Sequence, residues 1–364
     1  MSSTSSKIIR TIAIFVIVFV LLGLGAWYVM EHGFKNFSFS LSNGYVIEPL
    51  TGVYQDKSSY KVDATGIKEI QVDWVYSSVD ILVYEGKDIL LVESCQRDFQ
   101  QGEELSYSIK DGILKIVFLK DNSLRRIPPK KIVISLPKDI AVNLKVLNVN
   151  CDLAAITVTD LNSETIYLES NTGSIDISNV QASKTITLDT DTGTINAISL
   201  KASNIVMKSD TGRITAKKLN ITENIDLNTD TGRIIVTDVK ADVLNCASDT
   251  GRIECDKYTV NSVSLKSDVG SIDTEGSFKD GNFRSSTGSI TIRSGSVADK
   301  MYARSDTGSI TLYTIKSEKL TVSYSTDVGK FNTDFPVLIS SSNDATITLK
   351  SSTGNIYIKE YEVR

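Results

Sequence analysis

One short motif recurs from about residue 146 onward, and this repeat constrains the fold more than any other feature of the chain. The motif reads Ser or Thr, then mostly Asp, then Thr or Val, then Gly. Its glycines follow one another at steps of 18 to 21 residues, until a last step of 25, at Gly173, Gly193, Gly212, Gly232, Gly251, Gly270, Gly288, Gly308, Gly329 and Gly354. A degenerate copy from Cys151 to Ile156 precedes them in phase. A repeat of this length is typical of a solenoid, in which each unit stacks on its neighbours.

Apolar residues occupy fixed positions around each glycine. Two residues after it stands Ile in nine copies and Phe331 in the tenth. Five residues before it stands an apolar residue, which is Leu in five of the ten copies, and the apolar positions alternate with polar ones. Alternation with a period of two predicts a short β-strand on each side of the glycine. We therefore predict an all-β fold, a parallel β-solenoid with coils of about 19–20 residues that share a row of inward isoleucines.

The Asp-Thr-Gly step predicts a tight turn between the two strands of a unit. Asp can hydrogen-bond the backbone two residues on, and Gly can adopt the positive φ that such a turn requires. The predicted turn residues are Asp191, Gly193, Asp210, Gly212, Asp230, Gly232, Asp249, Gly251, Asp268, Gly270, Asp306 and Gly308. Asp-Thr-Gly also marks aspartic proteases, but a protease brings two distant copies together, whereas these copies recur at a fixed period.

The N-terminal segment predicts a membrane anchor. Residues 11–30 carry no charged side chain, and at about 1.5 Å per residue they span a bilayer core of roughly 30 Å. Lys7 and Arg10 precede the segment, so the positive-inside rule predicts a single-pass protein of the cell membrane with a cytoplasmic N-terminus and an extracellular C-terminal domain. A cleaved signal peptide is the alternative, but the apolar run is longer than a usual signal core and no clear cleavage site follows.

These features predict five regions along the chain. They are a cytoplasmic tail at 1–10, a transmembrane signal anchor at 11–30, a stalk at 31–66, a β-strand capping region at 67–145 and the solenoid repeats at 146–364. The capping region would shield the open strand edge of the first coil, because an uncapped parallel edge invites aggregation.

Composition argues against several functions. The net charge of −5 and the absence of a basic cluster argue against a nucleic-acid partner. His32 is the only histidine, so histidine-based triads and most catalytic zinc sites lack their imidazole. The four cysteines show no CxxC spacing, and Cys246 and Cys255 fall on inward columns, which predicts buried thiols. We predict no catalytic residue, no metal site and no cofactor.

Stacked copies would align like charges. Asp191, Asp210, Asp230, Asp249 and Asp268 would form one column of carboxylates that repel one another. Arg213, Arg233 and Arg252 follow the glycine in three consecutive copies and would lie beside them. One interpretation is a surface salt-bridge network. Another is an anion-binding stripe for a wall polymer that carries phosphate or carboxylate. A calcium-filled acidic column is a third, although calcium-binding solenoid repeats are shorter and richer in Gly.

The chain resembles the putative-adhesin β-strand-repeat family of bacterial envelope proteins, which includes the LiaG-like membrane proteins of Gram-positive bacteria. The resemblance rests on the N-terminal anchor, the opening from Ile70 to Val83, the segment from Ile134 to Pro137 and the repeated turns, and it covers residues 67–364. It implies a surface location and a role in adhesion or envelope stress. The family carries a domain of unknown function, and the resemblance implies no catalytic residues.

Together these observations predict a membrane-anchored, extracytoplasmic, non-catalytic protein that presents a repetitive polar surface to a cell-wall polymer or an envelope protein. Two alternatives remain open. A polysaccharide-active enzyme on a β-helix scaffold would need one local cluster of catalytic carboxylates, and the repeats supply regular columns instead. A self-assembling envelope scaffold would stack the ends of solenoids into filaments.

Overall fold

The computed structural model describes residues 39–40, 46–49, 52–118, 126–318, 320–340 and 345–361. The predicted cytoplasmic tail, the predicted transmembrane anchor at 11–30 and His32 lie outside the described residues. Within the described ranges, no helix is long and apolar enough to cross a membrane.

The strands before the repeats build the lower end of the molecule. They are β1 (Phe39–Ser40), β2 (Val46–Ile47), β3 (Gln55–Asp63), β4 (Glu69–Tyr84), β5 (Asp88–Cys95), β6 (Ser106–Lys110), β7 (Ile113–Val117), β8 (Arg126–Ile127) and β9 (Lys130–Pro137). A helix of one turn, α1 (Lys138–Ala141), follows them.

The repeats fold into two strands per coil, as predicted. The strands are β10 (Leu144–Thr159), β11 (Asn162–Thr172), β12 (Ile175–Ser178), β13 (Gln181–Thr192), β14 (Ile195–Ile198), β15 (Lys201–Ala202), β16 (Asn204–Thr211), β17 (Ile214–Ile221), β18 (Asn224–Thr231), β19 (Ile234–Lys240), β20 (Val243–Thr250), β21 (Ile253–Thr259), β22 (Ser262–Val269), β23 (Ile272–Ser277), β24 (Asp280–Thr287), β25 (Ile290–Ser294), β26 (Lys300–Thr307), β27 (Ile310–Thr314), β28 (Thr321–Val328), β29 (Phe331–Thr333), β30 (Leu338–Ile339), β31 (Ile347–Thr353) and β32 (Ile356–Glu360).

Strands of successive coils pair in parallel, and the two stacks enclose one core. The strands that precede the glycines form the first sheet, and the strands that follow them form the second. The isoleucines that stand two residues after the glycines, from Ile175 to Ile356, are all buried, as the sequence predicts. Cys246 and Cys255 are buried free thiols, which confirms their assignment to the core. The period-two alternation determines this arrangement, because every second side chain of a strand points inward.

A second corner turns the chain at the other end of each coil, and it does so without glycine. Six consecutive coils place a residue in the left-handed region there, with φ between 54° and 59°, at Asp160, Asn179, Ser199, Lys218, Asp238 and Lys257. Left-handed backbone is unfavourable for residues with a Cβ. The burial of an apolar residue next to the corner, such as Leu219, offsets this cost.

The C-terminal coil is inserted out of sequence order. The first strand of the coil around Gly308, β26, pairs with β31, and β28 pairs with the far edge of β31. The second strands follow the same order, from β27 to β32 to β29. The coil of β28 and β29 is therefore the last coil of the stack, and the short strand β30 pairs in parallel with the outer edge of β28. Here Tyr324, which the repeat alignment places in an inward column, is 41% exposed and stacks on Phe331 with ring centroids 3.9 Å apart.

The parallel stack also extends below residue 146. β4 pairs in parallel with β10 along nearly its whole length, and on its other side it pairs with β7 and then β9. Antiparallel strands then cover the lower edge: β6 pairs with β7, β5 pairs with β9, and β3 pairs with β5. β3 belongs to this edge although it lies within the segment predicted as a stalk. Among the described strands, antiparallel pairing therefore covers the parallel edge at this end.

Candidate functional site on the outer faces of the stack

Each coil exposes every second residue of its two strands, so the outer surfaces consist of columns that run along the stack. We name the outer surface of the strands before the glycines the first face, and that of the strands after the glycines the second face. Adjacent members of a column lie about 4.8 Å apart, the spacing of paired strands. Any functional surface of the repeats is therefore a linear array, and its chemistry depends on which residue types fall in the same column.

The corner between the two faces is held by a ladder of buried hydroxyl groups. The Ser209 hydroxyl donates a hydrogen bond of 3.0 Å to the carbonyl oxygen of Gly193 in the preceding coil. The same bond recurs from Ser170, Thr190, Thr229, Ser248, Ser267, Ser285, Ser305, Thr326 and Ser351. The first residue of the motif, to which the sequence analysis assigned no role, is thus a buried structural group.

Two of the six predicted turn glycines, Gly212 at φ 159° and Gly308 at φ 147°, have the predicted positive φ, but the other four are required for a different reason. Gly251 does not have a left-handed φ, so a turn that needs positive φ does not explain its presence. A Cβ on Gly251 would clash with the carbonyl oxygen of Gly232 directly below it. The carbonyl that accepts the hydroxyl bond points into the next coil, and only glycine leaves room for it.

The predicted turn aspartates lie on the surface. Asp191, Asp210, Asp230 and Asp249 are exposed, and within the described residues their side chains make no hydrogen bond or ion pair. The predicted bond from Asp to the backbone two residues on is therefore wrong at these positions. Asp268 and Asp306 instead bind the cations two residues before them, Lys266 at 3.2 Å and Arg304 at 2.9 Å. The column remains a row of like charges that faces solvent.

The candidate arginine stripe lies on the second face, and its partners differ from those predicted. Arg252 binds Glu254 at 2.7 Å and Asp273 at 3.1 Å, and Arg233 also binds Glu254. Within the described part of the chain, no ion pair joins Arg213, Arg233 or Arg252 to the turn aspartates. The reason is geometric. The turn carboxylates and the arginines lie on opposite sides of the corner, whereas Glu254 and Asp273 follow the arginines on the same face.

A row of four cations, which sequence reasoning missed, lies on the first face. Lys266 pairs in register with Arg284, Arg284 with Arg304, and Arg304 with Lys350. We name these four residues the cation row. Lys266 and Arg304 each have an aspartate two residues later in the sequence. Arg284 and Lys350 have a serine at that position. In the sequence, each member of the row stands four residues before a repeat glycine, and this shared position could have predicted the row. Lys350, however, joins the row only because its coil is inserted next to that of Arg304.

A shallow pocket adjoins the cation row. It has a volume of about 360 Å³ and is lined by Ser262, Ser264, Asp280, Asn282, Lys300 and Tyr302, with Arg284 at its side. The short side chains of two successive coils form the floor of the pocket. The larger ring of Tyr302, in the next coil, forms one wall. The Arg284 guanidinium lies 5.2 Å from the centroid of this ring, and the Lys350 ammonium lies 5.9 Å from it. Aromatic rings attract cations at such distances.

The same column of the first face is acidic in its lower part. Glu169 and Asp189 occupy the positions that correspond to the cation row. Partial burial, together with the charges of Glu169, Asp191 and Asp210, raises the pKa of Asp189, and Lys208 opposes this shift. One outer column thus changes from acidic to basic along the stack.

A buried ion pair in the lower end of the molecule is closed to solvent. Lys130 binds Glu93, donates to the carbonyl oxygen of Glu103 at 2.6 Å and lies 3.9 Å from the ring centroid of Phe118. Burial lowers the pKa of Lys130, and the charge of Glu93 opposes this shift. Both side chains are fully buried, so they stabilise the fold and present nothing to a ligand. Over the described ranges, no group of three His, Cys, Asp or Glu side chains could hold a metal ion.

Several solved structures are similar to this chain. A putative adhesin from Bacteroides fragilis shares 13% identity, with 86% of this chain and 99% of that one covered and a TM-score of 0.35. A putative lipid binding protein from Parabacteroides distasonis shares 16% identity, with 84% and 96% covered and a TM-score of 0.32. A putative adhesin from the same organism shares 12% identity, with 84% and 97% covered and a TM-score of 0.28.

Comparison with protein families gives a direct assignment. No curated protein matches the chain significantly. The family model described as Toastrack DUF4097 matches twice, over residues 92–223 and 207–359. The two matches cover the repeats and part of the strands that precede them, which confirms the resemblance to a β-strand-repeat family of unknown function. The chain therefore belongs to the Toastrack DUF4097 family.

Proposed function

We propose that this protein is a membrane-anchored, extracytoplasmic rod that binds a component of the cell envelope without catalysis. The observation that carries the proposal is the in-register stack, which repeats each outward position from coil to coil at about 4.8 Å. Such a surface offers many similar contacts along a line. A linear ligand can use them together, so that weak contacts add up to strong binding.

The membrane part of the proposal rests on residues 11–30 and on the charges before them. Labelling in intact cells tests it. A Thr307→Cys variant places an exposed thiol on the repeats, and the native cysteines are buried and do not compete. A membrane-impermeant maleimide should label Thr307→Cys but not Ser3→Cys, and the opposite pattern would refute the orientation.

The binding part is tested with the full chain in detergent and purified cell-wall polymers. Retention on an anionic wall polymer should fall as salt rises, because exposed charge pairs are screened. A variant with Arg213, Arg233 and Arg252 changed to alanine tests the stripe predicted from the sequence. If the variant is retained as well as the wild type, the stripe is not the binding surface. Release of soluble fragments from the polymer would contradict a non-catalytic role and favour the enzyme alternative.

A further inference from the structure

We infer that the cation row and the Tyr302 pocket form one binding site for an acidic polysaccharide. The inference rests on the proposed function and names its ligand class and its place on the rod. The site is on the first face, in the upper part of the stack, on the opposite side of the coils from the arginine stripe.

The first argument is that only half of the cation row is neutralised from within the protein, since Asp268 binds Lys266 and Asp306 binds Arg304. Like charges directly opposite one another on adjacent strands repel, and the cation row places four of them in adjacent strands. On the second face, Glu254 and Asp273 neutralise Arg233 and Arg252. On the first face, no carboxylate of the described residues pairs with Arg284 or Lys350. An anion from outside would offset this repulsion.

The second argument is the shape of the array. Three strand spacings separate Lys266 from Lys350, so the row extends over about 14 Å. A single small anion would meet only one or two of these cations. A linear polymer that carries a negative charge on successive residues would meet them all, and each contact would be charge-assisted.

The third argument is the pocket beside the row, and it favours a sugar chain over other polyanions. Tyr302 offers a flat apolar ring against which the C–H face of a sugar ring can pack. Ser262, Ser264 and Asn282 supply hydroxyl and amide groups that both donate and accept hydrogen bonds, as sugar hydroxyls require. Asp280 also lines the pocket. Its carboxylate can accept from a hydroxyl but would repel a phosphate chain that lacked hydroxyl groups.

The experiment uses the full chain in detergent and three fluorescent probes: an oligogalacturonate, a neutral maltooligosaccharide and an inorganic polyphosphate. The wild type should bind the oligogalacturonate more tightly than either of the others. Arg284→Gln with Lys350→Gln should weaken binding of the oligogalacturonate by about tenfold or more. Tyr302→Ala should weaken binding of the oligogalacturonate and leave binding of the polyphosphate, which is weaker in the wild type, unchanged. Lys217→Gln with Lys240→Gln makes the same charge change at exposed positions outside the site and should have no effect.

The outcomes separate the two proposals. We call the Arg284→Gln, Lys350→Gln protein the row variant. If the row variant binds the oligogalacturonate as tightly as the wild type does, or if Tyr302→Ala does not weaken this binding, the site is refuted. If the polyphosphate binds as tightly as the oligogalacturonate, the surface recognises charge alone and the sugar assignment is wrong. If the wild type is retained on wall polymers but the row variant is retained equally, this site fails while the proposed function stands. Absence of binding to any wall polymer would refute both. Circular dichroism shows whether each variant keeps its strands.

Discussion

The Ser351 hydroxyl donates a hydrogen bond of 3.0 Å to the carbonyl oxygen of Gly308, 43 residues earlier in the chain. In the eight lower coils the same bond joins residues only 15 to 17 apart. The long separation exists because the C-terminal coil is inserted between two coils that are consecutive in sequence. The bond from Thr326 to Gly354 then closes the end of the stack.

This coil order predicts which engineered disulfide can form. Thr307 and Thr353 are register partners on adjacent strands, about 4.8 Å apart, which is within the range of roughly 4.4–6.8 Å between the Cα atoms of a disulfide. Thr307→Cys with Thr353→Cys should therefore cross-link on mild oxidation, measured by mass after alkylation. Thr307→Cys with Val328→Cys should stay reduced, because the inserted coil separates the two positions. A disulfide in the second pair and none in the first would show that the coils stack in sequence order.

The glycine column predicts a large loss of stability when one member gains a methyl group. Gly251→Ala should lower the free energy of unfolding by about 2–3 kcal/mol, because the new Cβ clashes with the Gly232 carbonyl and forces two coils apart. Gly295→Ala is the control, since a Cβ there meets only the Tyr361 ring at ordinary contact distance. Urea unfolding followed by circular dichroism measures both. Equal urea midpoints for the two variants would show that the close approach of the carbonyl below is not the reason for glycine at this position.

The hydroxyl ladder predicts a smaller loss of stability than the glycine column does. The loss should be larger where the hydroxyl is buried than where it is exposed. Ser209→Ala removes a buried hydroxyl and leaves the part-buried carbonyl of Gly193 without its donor, which should cost about 1–3 kcal/mol. Ser209→Thr should behave as the wild type does, because threonine fills the same position at Thr190 and Thr229. Ser203→Ala removes a comparable bond at an exposed site and should cost less than about 0.5 kcal/mol. A loss at Ser203 as large as that at Ser209 would contradict the role of burial.

The buried ion pair predicts strong destabilisation when one partner is removed. Lys130→Met leaves the fully buried Glu93 carboxylate without its cation, which should cost about 3–5 kcal/mol. Lys130→Met combined with Glu93→Gln should recover part of this loss, because the amide oxygen can still accept from the backbone N–H of Leu105 and the amide NH2 can donate to the Ser58 hydroxyl oxygen. Thermal unfolding of the single and double variants measures the coupling. A double variant no more stable than Lys130→Met would mean that the unpaired charge is not the cause.

The acidic part of the first face predicts a pH dependence. The pKa of Asp189 is raised in the folded protein, so its ionisation opposes folding, and stability is lost as pH rises through the raised pKa. Asp189→Asn should therefore raise the melting temperature at pH 7 and have little effect near about pH 3, where the carboxyl is protonated in both states. Asp299→Asn is the control, since Asp299 is an exposed loop residue. An equal increase at both pH values would contradict a charge effect.

The repeat pattern predicted the fold because burial and alternation are local properties of each strand. Inward columns such as Ile175 to Ile356, and the thiols of Cys246 and Cys255, follow from alternation alone. The partners of the arginines did not follow in this way. The pattern showed Arg252 near Asp249, but the corner between the two strands places these side chains on different faces. The carboxylates that reach Arg252 belong to Glu254 and to Asp273 of the next coil.

The sequence by itself determined that two strands alternate around each glycine, which residues point inward and that equivalent residues align in columns. These properties depend only on spacing within one coil and on the next coil having the same pattern. Only the tertiary structure decided the order of the last coils, because each coil offers nearly the same edge to any neighbour. That choice brings Lys350 next to Arg304 and completes the cation row.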